Sequence, residues 1–243
     1  MFRSIAGAAL ALLCSFSLQA GDLDEILALN FEAEGGERLG EVHNVRIRLS
    51  IAEPGFEVSG IYVASRSGEM RIDVEADGQR VFSEGLLDGA AWQWTPGEGV
   101  SAQGEAEAAA LRHGIEMPGR FYTLQDVRER GASLTLVGEV VDGDRSEWQV
   151  RVVLVDGLSR DYFIDQATHR MTRQRDRRAF HPGIDPTPVA IETRFEDYEW
   201  VVGILTSMRQ EQTNLDTGDW LGTTRVLAVE RDVAEIETLL QQP

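Results

Sequence analysis

From about Val45 to Thr95 apolar and polar residues alternate with period two, broken by turn residues every eight to twelve positions. That pattern predicts a run of antiparallel hairpins. In VRIRLSI, Ile47, Leu49 and Ile51 alternate with Arg46, Arg48 and Ser50; in MRIDVEA, Met70, Ile72 and Val74 alternate with Arg71, Asp73 and Glu75. One face of the sheet is therefore expected to be apolar and the other wet. Alternation resumes in SLTLVGEVVD, EWQVRVVLVD and RDYFIDQATH, with Asp142-Gly143 and Asp156-Gly157 as turns, and again in VAIETRFEDYE, GILTSMRQEQTNL and WLGTTRVLAVE. The count is about eleven strands.

Helical spacing is confined to short stretches. Asp22 and Glu25 suggest a capping box before Leu23, Ile26, Leu27 and Phe31, and Gly35-Gly36 ends that pattern. Ser101 is expected to cap the alanine-rich AQGEAEAAALRHG, with an end near Gly114. The stretch IEMPGRFYTLQDVRERG reads as part loop and part helix, and the tail spaces Val233, Ile236, Leu239 and Leu240 for a last short helix. The fold class is mainly β, or α+β: one curled antiparallel sheet whose concave side the few helices must cover.

The first twenty residues change where this sheet is expected to work. Arg3, an apolar run from Ile5 to about Leu13 and a small-residue end at Ala20 form a secretory signal peptide, leaving residues 21–243 as a single domain. Leu12 and Leu13 precede the lone Cys14 where a lipid-anchor signal wants small residues. Cleavage takes the formal charge from −18 to −19 and leaves no thiol, so disulfide and thiolate chemistry are excluded. No later apolar run reaches the length of a membrane helix, and a polyanion is repelled by nucleic-acid phosphates and anionic lipid surfaces. The mature chain is expected to be a monomer that neither spans a membrane nor binds nucleic acid.

Catalytic chemistry finds little support. His43, His113, His169 and His181 lie apart from one another, and GxSxG, P-loop, GxGxxG and HExxH motifs are absent, so neither a metal nor a cofactor is expected and no enzyme is framed. Asp142 to Asp144 reads as a hairpin turn rather than a calcium loop. Two features stand out instead. HRMTRQRDRRAF carries Arg170, Arg173, Arg175, Arg177 and Arg178, either a strand paired with acidic neighbours or a docking stripe for an acidic partner or head group. In DGAAWQWTP, Trp92 and Trp94 share one face of a strand. With Met70, Met117, Phe121 and Trp148 they are candidates for the wall of an apolar hollow, the alternative being an ordinary packed core.

Five segments in order, LDEILALNFEAEGGERL, SRSGEMRIDV with Arg66 and Arg71, DGAAWQWTP, DYFIDQATHRMTRQ and RFEDYEWVVGILTSMRQEQ, resemble the LolA-like outer-membrane lipoprotein-sorting proteins over about Leu23 to Val229. Ser67 and Ser207 stand where that family commonly has proline. The resemblance implies a half-open β-barrel in the periplasm, lidded by helices, whose hollow shields the acyl chains of lipids or lipoproteins for transfer between membranes. Second to that carrier reading stands an alternative, a module of the same fold that senses the envelope by docking a membrane-protein partner.

Overall fold

A computed structural model describes residues 22–181 and 185–243; the signal-peptide expectation lies outside them. Among the described residues thirteen strands pair antiparallel in one sheet. The first six are β1 (Asn44–Glu53), β2 (Phe56–Ser65), β3 (Met70–Ala76), β4 (Gln79–Leu87), β5 (Ala90–Thr95) and β6 (Gly99–Ala102). After two helices come β7 (Ser133–Asp142), β8 (Arg145–Val153), β9 (Ser159–Asp165), β10 (Met171–Arg178), β11 (Val189–Val201), β12 (Ile204–Asn214) and β13 (Trp220–Arg231). The spatial order runs β6-β5-β4-β3-β2-β1-β13-β12-β11-β10-β9-β8-β7, so the sheet stays open with β6 and β7 at its edges. Beyond the eleven alternating segments stand β6, only four residues long, and β10, formed by the arginine-rich stretch read as either a paired strand or a docking stripe.

Turn chemistry fixes the registers. Asp77-Gly78, Asp88-Gly89 and Val202-Gly203 each put both turn residues at positive φ, the geometry that suits a two-residue hairpin to the twist of its strands. Gly143, at φ 64, opens the β7–β8 turn at the expected place.

The helices are α1 (Leu23–Glu34), α2 (Gly36–Glu41), α3 (Glu105–Glu116), α4 (Leu124–Glu129) and α5 (Ile236–Leu240). Asp22 caps α1 by accepting from the Asp24 amide, and Gly35, at φ 74, stops it in the left-handed conformation a glycine adopts without strain. The chain then turns directly into α2 instead of ending its helical course at Gly36. Ser101 is not a cap. It pairs with Gln93 inside β6, and α3 begins after Gly104. A reciprocal box between Thr123 and Asp126 starts α4.

One face of the sheet, the inner face, carries α1 to α4. Ile26, Leu27, Leu39, Ala108, Ile115, Leu124 and Val127 from these helices share a core with Val45, Leu49, Tyr62, Met70, Leu86, Val150, Tyr162 and Ile164 from the strands. The segment holding α3 and α4 leaves the sheet at β6 and rejoins it at β7, so it bridges the two open edges. The short α5 instead lies by β2 and β3, where the Arg71 guanidinium donates to the Gln241 carbonyl at 2.5 Å.

Candidate functional site

One side chain, Arg66, gathers two pieces of the helical cover at the end of β2. Arg66 follows β2, and its guanidinium donates to the carbonyls of Val42 (2.7 Å), Leu39 (2.6 Å) and Phe121 (2.6 Å). Those acceptors belong to the end of α2 and to the α3–α4 loop, two pieces of the cover otherwise distant in sequence. The tie is closed by backbone and hydroxyl contacts: the Arg66 amide donates to the His43 carbonyl (2.7 Å), and the Tyr122 hydroxyl donates to the Arg66 carbonyl (3.2 Å). Its guanidinium carbon also lies 4.9 Å from the Tyr122 ring centre and 5.8 Å from that of Phe121.

A second attachment holds the far end of α1. Glu34 is buried, and its carboxylate accepts from Asn30 Nδ2 (3.0 Å) and the Met171 amide (3.4 Å). Asn30 Nδ2 also donates to the His169 carbonyl (2.9 Å), which clamps α1 to the turn between β9 and β10. Burial raises the Glu34 pKa to about 7, against the smaller opposing effect of its hydrogen bonds. His169 stacks on Trp148 with ring centres 5.8 Å apart and planes 9° from parallel.

Some of the residues read as a hollow's wall meet where sheet and cover pack together. Met70 (5% exposed), Met117 (2%) and Phe121 (0%) belong to the inner core, and half-buried Trp148 packs against it. Trp92 and Trp94 do share a face, but the register puts it on the other side of the sheet. Arg71, Gly85 and Trp92 stand opposite one another across β3, β4 and β5, one position out of step with inner Met70, Leu86 and Ala91. Trp92 is buried on the outer face over Gly85, where an added Cβ would lie 2.6 Å from the indole, with the Arg71 guanidinium 5.9 Å from its ring. Trp94 carries Arg80 at 4.3 Å. The expectation that these indoles line the covered face is therefore corrected.

The arginine stripe also divides. Arg173 is buried on the outer face between Glu147 (2.6 Å) and Glu192 (2.8 Å), with Phe163 beneath it at 4.0 Å. Arg175 joins Glu192 at 2.7 Å, and Arg177 approaches Asp216 at 3.3 Å. Arg170 makes no ion pair among the described residues. Pairing with acidic neighbours thus occupies Arg173, Arg175 and Arg177, while only the latter two keep exposed heads. The sequence did not single out Arg66 as a tie or Glu34 as a clamp.

A cavity of about 320 Å³ opens between α3, α4 and the β8–β9 turn, lined by Arg112, Glu116, Val127, Arg130, Leu154 and Val155 among others, and none of the candidate wall residues borders it. Among the described residues no cluster of His, Cys, Asp and Glu is placed to hold a metal ion, and no helix is long and apolar enough to cross a membrane.

An open antiparallel sheet with helices packed over one face defines the LolA-like fold, and this chain adopts it. It is similar to a LolA superfamily protein from Nitrosomonas europaea, with a TM-score of 0.58 at 11% identity over 92% of this chain and 99% of that one. A DUF1329 family protein from Desulfovibrio piger matches with a TM-score of 0.58 at 14% identity, covering 90% of this chain and 98% of its own. A domain assigned to outer membrane lipoprotein sorting, from Vibrio parahaemolyticus, gives 0.56 at 8% identity, covering 90% and 99%. No family model and no curated protein matches the sequence.

Proposed function

We propose that this protein is a periplasmic, non-enzymatic binder and carrier of lipid or lipoprotein acyl chains, which it shelters between the inner face of its sheet and the helical cover. Moving such a chain through water is costly: at ~0.8 kcal/mol per methylene, a sixteen-carbon tail left bare costs on the order of 12 kcal/mol. A carrier must offset that cost and still let go. The observation that supports this reading best is the Arg66 tie, because hydrogen bonds to Leu39, Val42 and Phe121 can be exchanged for water as the cover lifts, whereas the β ladder beneath stays whole. With the cover down, Met70 of the sheet and Met117 and Phe121 of the cover share one buried core, and a tail entering between sheet and cover would have to part them. The fold likeness to a lipoprotein-sorting domain points the same way.

Mass spectrometry of an organic extract of protein purified from the periplasm tests the proposal. Acyl lipid near one per chain is the expected result. A lipid-free extract together with failure of the pure protein to take up any long-chain amphiphile would remove it. A second reading, docking of an envelope protein partner, draws on Trp200 and Val202, apolar side chains 57% and 76% exposed beside the junction of α1 and α2. Crosslinking from Val202 in whole cells separates the two.

A further inference from the structure

The inner face is not apolar throughout. Along β9 and β10, Arg160 and Asp176 stand opposite each other in the same register as inner Tyr162 with Gln174 and next to inner Val152. Arg160 contacts Asp176 at 2.7 Å, and Arg178 reaches the same carboxylate at 3.4 Å. The side chains of Arg160 and Asp176 are 12% and 3% exposed, while that of Arg178 is 35% exposed and gives the cluster its outlet.

Two guanidinium groups thus share one carboxylate, leaving one positive charge in excess. Burial holds the Arg178 guanidinium below its ordinary range; Asp176 opposes the effect and the Arg160 cation reinforces it. Tyr162, 0% exposed, has no acceptor for its hydroxyl proton, and burial raises its pKa so that the proton stays on. A water molecule satisfies a donor but not a charge, and the excess charge of this cluster is solvated only in part, through Arg178. From this cluster Tyr162 and Ile164 on β9, with Val152 and Val150 on β8, lead without a break into the apolar core.

We propose that Arg178, Arg160 and Tyr162 form a head-group subsite for a singly charged oxyanion, so that the acyl chain this protein carries ends in an acidic head rather than a neutral one. The inference rests on the acyl-chain reading above and adds a specificity to it. A guanidinium fork and a phenol donor suit a carboxylate or a phosphodiester alike. One excess charge matches one anionic group.

Binding of oleate, lysophosphatidylglycerol and oleyl alcohol to the full mature chain, measured by displacement of a fluorescent fatty-acid probe, provides the test. The alcohol is expected to bind about tenfold more weakly than the better of the two anions, equivalent to one charge-assisted hydrogen bond. The stronger of the anions identifies the head group. Arg178→Gln, at a partly exposed position, should bring the ratio of anion to alcohol affinity close to one. Tyr162→Phe, which keeps the ring in place, should lower it in the same direction. Equal affinity for the alcohol and both anions, or an equal loss for all three in Arg178→Gln, would overturn the subsite while leaving the carrier standing. Failure of every amphiphile, the alcohol included, would overturn the carrier reading itself.

Discussion

Replacing Arg66 by alanine should loosen the cover without melting the sheet. The side chain gives three hydrogen bonds of 2.6 to 2.7 Å to the carbonyls of Leu39, Val42 and Phe121, and bonds to a charged donor are each worth about 1.5–3 kcal/mol net. Their sum is an upper bound, because part-buried carbonyls freed by the substitution regain water. A loss of about 3 kcal/mol in the free energy that holds the cover closed is therefore expected, corresponding to an opening roughly 150-fold more frequent. Native-state hydrogen exchange measures this segment by segment. In Arg66→Ala the amides of α2 and of residues 117–123 should lose protection by about that factor, while inner strands such as β9, paired with β8 and β10 on its two sides, keep theirs. Uptake of a long-chain amphiphile should become faster in the same variant. Unchanged exchange in α2, or an equal rise in every strand, would refute the idea that Arg66 fastens a separable cover.

Because burial raises the Glu34 pKa from 4.5 to about 7, the folded protein binds a proton there that the unfolded chain releases, so stability is highest below about pH 4.5 with respect to this group. It falls as pH rises towards 7, by a total of about 3 kcal/mol once both states are ionised, and Glu34→Gln should flatten this part of a denaturation profile. An identical slope in the variant would show that another group sets it. Trp92→Ala should cost about 3–5 kcal/mol of stability through the cavity left on the outer face, yet leave amphiphile affinity per folded molecule unchanged. A selective loss of affinity would return Trp92 to the binding face.

What the sequence disclosed and what it withheld follow from the period of a strand. Alternation of two says which side chains share a face, and it does so correctly for Ile47 with Leu49, Met70 with Ile72, and Trp92 with Trp94. It does not say which face the helices will cover. In AAWQWT the bulky set is Trp92 and Trp94, but the helix-facing set includes small Ala91, 3% exposed, since α3 must approach closely there. The bulk on the other side is accommodated because Gly85 offers the indole a bare backbone. The clusters that matter most for the site were hidden for a related reason. Arg66 finds its acceptors 24, 27 and 55 residues away, and Arg160 and Asp176 are 16 apart on neighbouring strands, so each arrangement exists only once the sheet has set its register. In β10 the same arithmetic sends Arg173 and Arg175 outward to Glu147 and Glu192 but Asp176 and Arg178 inward. A stretch that reads as one basic stripe thus becomes an internal brace on one side and an unbalanced charge on the other.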